Sequence, residues 1–418
     1  MEPQTQETFK AIDFSVRGNL RDLFAFLGLK KYRKKKFSTA SDEMPESDPY
    51  VNRLAQKLHP NRQFLKIEKI IEETPTTKTF RLIPNLEKGT KELAYFQAGQ
   101  YLSIKANING HEITRPYSIA SSPKDALNGF YDITIKKLPN GFLTDFIWEN
   151  WKEGSEVITS APLGFMYWSP IRDSKSIVAI AGGSGITPFL SMAREICYGS
   201  FKDEGISMRL IYGCSDEKEI IFKQQFETLA KQFPDRFSFV LVMICEVVNL
   251  KGCEMGFITK EIIRKYSDPS NDSYFMCGPA AMYDFVCKEL SELDVPLKRI
   301  RREAYGEIKD PKKFMDFPKD AADKIFTILV RNKQETLTIK ASSHESLLVA
   351  LERAKFKVPS ACRSGECQFC RTLLLKGNVW CSPESDGRRE ADKKFGYIHP
   401  CVSFPLSDLE LLLPNSDE

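Results

Sequence analysis

The chain has 418 residues, enough for about three domains of ordinary size. Its 42% hydrophobic and 28% charged residues describe globular material, and a formal charge of +4 is too small to argue for a nucleic-acid partner. No run of eighteen apolar residues and no signal-peptide core at MEPQTQETFK make a cytoplasmic protein the expectation.

Residues 1–62 are polar and mixed, an extension with no domain pattern. Within it, NLRDLFAFLGL places Leu20, Leu23, Phe24, Leu27 and Leu29 near one helical face, and KKYRKKK follows with six basic residues in seven. Residues 19–36 therefore read as an amphipathic anchor for a membrane surface or an acidic partner. The alternative is a helix packed on the protein's own barrel with a solvated basic stretch behind it.

Over 63–170, short alternating runs (FLKIEKII, KTFRLIP, GQYLSIKA, GFYDITIKK, SEVITSAPLG) are broken by Gly, Pro and Asn, which predicts an antiparallel β-barrel. After GQYLSI and HEIT comes RPYSIASSP. Arg115 offers a fork of donors for a phosphate, Tyr117 a flat face with a polar tip, and Ser118 a small hydroxyl; Pro116 stands between them. In PNGFLTDFIW, residues Gly141, Phe142, Leu143 and Thr144 open a helix. Its free N–H groups and dipole suit a phosphate, although an ordinary helix cap has the same appearance.

Over 171–305 apolar runs (SIVAIAGG, MRLIYG, FSFVLVMI, SYFMCGP) alternate with helical stretches, predicting an α/β domain with a parallel sheet. SIVAIAGGSGITP carries a strand into Gly182, Gly183 and Gly185, and Thr187 then opens a helix. Glycines let the backbone approach a pyrophosphate whose charge meets the helix N-terminus, though the spacing is not G-x-G-x-x-G. A later strand ends in Cys277, Gly278 and Pro279, at the edge where open α/β sheets bind ligands. The turn after MRLIYG holds Cys214, Ser215, Asp216, Glu217 and Lys218.

Residues 306–323 read as a charged linker. Over 324–418, IFTILV and ETLTIKA predict a hairpin and SHESLLVALERA a helix. Cys362, Cys367 and Cys370 in ACRSGECQFC follow, with Cys401 in YIHPC. C-x4-C-x2-C with a distant fourth cysteine is the ligand spacing of a plant-type [2Fe–2S] cluster, and Gly365 suits the positive φ of such a loop. Structural zinc normally pairs two C-x2-C knuckles, and only one is present. Cys381, eleven residues past Cys370 in a charged stretch, is a less suitable fourth ligand than Cys401. All 11 cysteines lie at or after Cys197; scattered thiols beside such a motif fit a reducing compartment rather than a disulfide framework. No two of His59, His111, His344 and His399 have ligand spacing, and all four read as structural.

RPYS, GFLT, APLGF, GGSGITP and CGP in this order, followed by the four cysteines, resemble the ferredoxin–NADP reductase superfamily, in the subgroup with a fused C-terminal ferredoxin. The resemblance covers residues 63 to 418. It implies a β-grasp for the last domain and carries roles to individual positions. Arg115 would bind the flavin phosphate, Tyr117 lie on the isoalloxazine and Ser118 reach toward its N5, with residues 141–144 at the phosphates. Gly182, Gly183, Gly185 and Thr187 would receive the dinucleotide and Cys277 the nicotinamide, unless its thiol is an inert buried group. Glu303 and Tyr305 in RREAYG resemble the family's acidic-x-aromatic end at the flavin. Thr144 and Tyr305 stand where Ser and Phe are common. FAD is the expected flavin, with FMN, used by some members, as the alternative. At the dinucleotide the resemblance implies, Asp216 and Glu217 would repel a 2′-phosphate and could accept from a ribose hydroxyl, so NADH is expected, with NADPH kept as an alternative by Ser215 and Lys218. The implied function is an NADH-dependent reductase passing single electrons to a partner redox protein. The alternatives are direct reduction of a small acceptor at the flavin and a docking subunit of a larger redox assembly.

Overall fold

A computed structural model of the chain describes residues 20–40, 49–244, 252–303, 307–332 and 336–414. Tyr305 and residues 1–19 lie outside them. The chain divides into two compact units, Met1–Arg53 and Leu54–Glu418. Helix α1 (Leu20–Ser38) makes up most of what is described in the first unit, and its described side chains are all exposed. Helix α2 (Tyr50–Leu58) runs to the start of the barrel.

Six strands form the antiparallel sheet: β1 (Gln63–Thr74), β2 (Thr77–Pro84), β3 (Tyr101–Ile108), β4 (His111–Ser118), β5 (Tyr131–Lys136) and β6 (Glu156–Thr159). The order is β4-β3-β6-β1-β2-β5. A bridge between Ile119 and Ile133 joins the two end strands and closes the barrel. Alternation explains the geometry. Leu65, Ile67, Phe80, Leu82, Leu102 and Ile104 point inward and the residues between them outward. Short helices α3 (Pro123–Leu127) and α4 (Phe142–Asn150) flank the barrel's closing strand, and Leu143 and Ile147 of α4 plug the core.

The second sheet holds β7 (Ser176–Gly182), β8 (Ser207–Cys214), β9 (Phe237–Met243), β10 (Glu254–Met255), β11 (Ser273–Cys277) and β12 (Ile300–Glu303). Its order is β10-β9-β8-β7-β11-β12 and every pairing is parallel. Ile177, Ala179 and Ala181 of β7 share a core with α5 (Thr187–Tyr198) and α6 (Lys223–Gln232). Val178 and Ile180 face α7 (Lys260–Tyr266) and α8 (Ala280–Glu292) on the opposite side. A strand covered on both faces reads as a continuous apolar run, as SIVAIAG does. The barrel docks here: Ala98, Ala120, Met166 and Trp168 join the α5 core. Glu219 of the nucleotide domain accepts from Thr74 at 3.1 Å and pairs with Lys136 at 3.0 Å.

The third sheet comprises β13 (Ile325–Arg331), β14 (Thr336–Ser342), β15 (Thr372–Lys376), β17 (Tyr397–Ile398) and β19 (Leu409–Leu412), ordered β14-β13-β19-β15-β17. Only β13 and β19 run parallel. Helix α9 (Leu347–Arg353) lays Leu347 and Leu351 on Ile328, Val330 and Leu411, the β-grasp arrangement. A small ribbon of β16 (Val379–Trp380) and β18 (Phe404–Pro405), with α10 (Glu390–Lys394), completes it. The stretch expected as a linker forms short turns at Pro311–Lys313 and Lys319–Ala321. It also buries Phe317 edge-on to Trp380, with ring centroids 5.1 Å apart. Asp316 accepts from the Trp380 indole at 3.1 Å.

Candidate redox site

Arg115 to Ser118 lie on β4, paired with Tyr101 to Ile104 of β3. Pro116 fits because β4 ends the hydrogen-bonded order. Ser118 is buried and Tyr117 half-buried against the barrel core. Gly141 caps α4, and Thr144 spends its hydroxyl locally, donating to the Gly141 carbonyl and accepting from the Leu138 amide, both at 3.2 Å. Thr144 thus closes the turn, as a helix cap does, and leaves the amides of Phe142 and Leu143 at the helix start.

In the parallel sheet the chain order reverses between β7 and β11, so the turns after these strands meet. A Cβ on Gly185 would stand 2.1 Å from the Cys277 carbonyl oxygen, and one on Gly182 3.1 Å from the Pro279 ring. Gly183 has φ +54° and open space where its side chain would be. Thr187 donates to the Ser184 carbonyl at 2.8 Å and starts α5, whose N-terminus points at this opening. Two glycines are required by the close approach of the neighbouring turn, and the third leaves room for a ligand. Cys277 is fully buried and sits opposite Glu303 in the β11–β12 register. Burial pushes its thiol well above the ordinary range, and the Glu303 carboxylate adds to the effect. Tyr283 knits the turn, receiving from the Gly278 amide at 3.1 Å and donating to the Glu303 carbonyl. Asp216 lies two residues past the end of β8, exposed, with one carboxylate oxygen held by the Lys218 amide at 2.9 Å.

The cysteines come together in pairs. Cys370 and Cys401 sulfurs are 3.4 Å apart, and Cys362 and Cys367 hydrogen-bond to each other. Amides of Ser364 and Cys367 donate to the Cys362 sulfur at 3.4 and 3.3 Å, and that of Cys362 to Cys367 at 3.4 Å. These donors, the Cys367 thiol first, hold the Cys362 thiol below its ordinary range. Among the described residues no three His, Cys, Asp or Glu side chains converge on one ion. Two pairs suit two irons with two thiolates each, and do not suit a zinc tetrad. Cys381 instead donates to the Ser382 carbonyl at 3.7 Å. Gly365 has φ +85°, and a Cβ there would lie 2.3 Å from the Ser385 carbonyl oxygen. The buried His399 ring braces the loop at the Gly365 carbonyl, 2.8 Å away.

The loop sits on the barrel. Thr114 and Ser360 hydroxyls are 2.6 Å apart, Ser103 donates to the Ala361 carbonyl at 3.3 Å, and His111 lies 3.3 Å from the Glu352 carbonyl. Arg363, wholly buried, forks onto Glu352 at 2.5 and 2.9 Å and onto Glu307, which also pairs with Arg115 at 3.4 Å. Two guanidiniums and two carboxylates thus compensate one another, with Arg363 wholly buried among them. Sequence reasoning missed Glu307, Glu352 and Arg363 in this role, because nothing in the local pattern relates residues so far apart. Tyr101, buried on β3, has Cys362, Cys367, Glu303 and Glu366 as electrostatic neighbours. A cleft of about 240 Å³ lined by Phe165, Met166, Arg302, Glu303 and Glu366 marks where barrel, parallel sheet and cysteine loop meet.

Three family models match in succession: an oxidoreductase FAD-binding domain at 65–168, an oxidoreductase NAD-binding domain at 179–288 and a 2Fe-2S iron-sulfur cluster binding domain at 330–406. The glycine betaine monooxygenase reductase subunit of Chromohalobacter salexigens is 24% identical over 363 residues, 84% of this chain and 95% of the relative. The ferredoxin reductase component of the Rhodococcus rhodochrous 3-ketosteroid-9-alpha-monooxygenase is 26% identical, over 82% of this chain and 94% of its own. Among solved structures, phthalate dioxygenase reductase, described as modular for electron transfer from pyridine nucleotides to [2Fe-2S], superposes with a TM-score of 0.58 at 26% identity. That match covers 85% of this chain and 98% of the other.

Proposed function

We infer that this chain, which belongs to the ferredoxin–NADP reductase superfamily and carries its C-terminal [2Fe–2S] ferredoxin, is the reductase component of a two-protein redox system. It takes electrons from a nicotinamide dinucleotide and passes them through FAD and the cluster to a partner protein. The observation that carries this reading is the seat of the cysteine loop on β3 and β4, the strands that present Arg115, Tyr117 and Ser118. A separately tethered ferredoxin would need no such seat.

When bound, the flavin accepts two electrons together and the cluster passes them on singly. The protein's residues bind, orient and exclude water. Arg115 takes the flavin phosphate, Tyr117 the ring face and Ser118 the ring edge, with the α4 start at residues 141–144 a further phosphate site. The turns at 182–187 and 277–279 hold the dinucleotide, with Cys277 and Glu303 at the reacting end and Asp216 on the ribose, which favours NADH. Cys362, Cys367, Cys370 and Cys401 hold the irons. We assign 63–170, 171–305 and 324–418 to the three domains and 306–323 to their linker. The partner is a metalloenzyme such as an oxygenase or a desaturase, the setting is the cytoplasm, and residues 19–36 contact a membrane surface or an acidic partner.

The test is an anaerobic absorption titration of purified protein with NADH and, separately, NADPH. Bleaching of both flavin and iron–sulfur bands by NADH is expected. Bleaching of the flavin alone would overturn the transfer path, and a response to NADPH alone would overturn the role given to Asp216.

A further inference from the structure

Every described side chain of helix α1 is exposed. Phe24, Phe26 and Phe37 are 69%, 71% and 75% exposed, and Leu27 and Tyr32 are exposed as well. Leu29, expected on the face that Phe24 and Leu27 share, falls off it as Phe26 does, so the exposed apolar side chains are not confined to one face. Charge is distributed just as unevenly along the chain. Between residues 20 and 40, seven Lys or Arg accompany a single Asp, a net charge of +6. The whole chain carries +4, so everything else together is −2. The net positive charge of this protein is concentrated on one helix, while the 53 Lys and Arg elsewhere are slightly outnumbered by 55 Asp and Glu.

We propose that α1 binds the surface of an anionic lipid bilayer, holding the reductase at a membrane without crossing it. The proposal rests on the contact role given above to residues 19–36 and commits it to lipid. Among the described residues no helix is long and apolar enough to span. Lys30, Lys31, Arg33, Lys34, Lys35 and Lys36 match a layer of lipid phosphates, as clusters of four to eight basic residues do. A nucleic acid would use the same charges without calling for bare phenylalanines, and an acidic protein would have to seat rings that are not confined to one face of the helix. Phe24, Phe26 and Phe37, with Tyr32 inside the basic run, find in the headgroup–acyl boundary an environment that takes apolar rings beside ammonium groups. Long Lys stems reach outward to headgroups from a helix lying in that plane.

The experiment is co-sedimentation of the full-length holoprotein with vesicles of phosphatidylcholine alone or mixed with phosphatidylglycerol. Anionic vesicles should bind at least about tenfold tighter, with salt weakening but not abolishing the association. K34E/K35E should lose most of the binding, and F24S/F26S should lose the part that survives salt. Both variants should keep the dinucleotide-driven bleaching of the wild type, which shows them folded. Equal binding to the two vesicle types, or anionic binding unchanged in both variants, overturns the proposal. If the wild type ignores vesicles but is retained on immobilised polyglutamate through α1, lipid is wrong and the contact role stands. Failure to bind either surface overturns both.

Discussion

Single residues carry separable tasks here. Cys367 stands in the Cys362 pair, and its loop is also held by Arg363, His399 and Gly365. Cys367→Ser should therefore remove the visible and paramagnetic signatures of the cluster while NADH still bleaches the flavin at near wild-type rate. Simultaneous loss of both signals would count against this division. Arg115 pairs with Glu307, and the proposed function also gives it the flavin phosphate. Arg115→Ala should lower flavin occupancy of the purified protein by about tenfold, the equivalent of one charge-assisted hydrogen bond. Wild-type flavin content in this variant would refute the phosphate role. The role proposed for Arg115 rests on its type and neighbours. Its link through Glu307 to Arg363 was not legible in the sequence, since 192 residues separate Arg115 from Glu307 and only the folded chain joins them.

At the scale of elements, the informative junction is the pair of turns after β7 and β11. The sequence marks each turn by its glycines, but only the strand order explains why Gly185 tolerates nothing larger. Its position has no room for a methyl group beside the Cys277 carbonyl. Gly185→Ala should push the two turns apart and raise the KM for NADH by at least about tenfold, about 1.4 kcal/mol of binding. Cluster absorbance should stay unchanged. An unaltered KM, measured by steady-state dye reduction, would contradict the close approach. Strands β12 and β15 to β19 escaped sequence reading because they are short and lack clean alternation. They pair because longer neighbours already present edges to them.

For the whole molecule, burial of ionisable groups sets a pH limit. Cys277 and the tyrosines 117, 131, 212 and 283 all have their ionisation pushed up by desolvation. The unfolded chain loses these protons at ordinary pKa values and the folded protein holds them. Their contribution is thus intact below the ordinary thiol and phenol range and is lost as pH rises through it. Each group favours unfolding by about 1.4 kcal/mol per pH unit above its unfolded pKa. Urea midpoints should fall steeply between pH 9 and 11, where a solvent-exposed set would give a flat profile.

By itself the sequence determined the cofactor chemistry and the fold class. Cysteine spacing, glycine turns and strand alternation are local, and local patterns can be read one segment at a time. Only the tertiary structure decided how the parts face one another. It placed the cysteine loop on β3 and β4, bound the linker's Phe317 beneath Trp380, and put Cys277 opposite Glu303. These arrangements depend on side chains far apart in sequence burying charge and apolar area together. Such complementarity exists only once the chain has closed on itself.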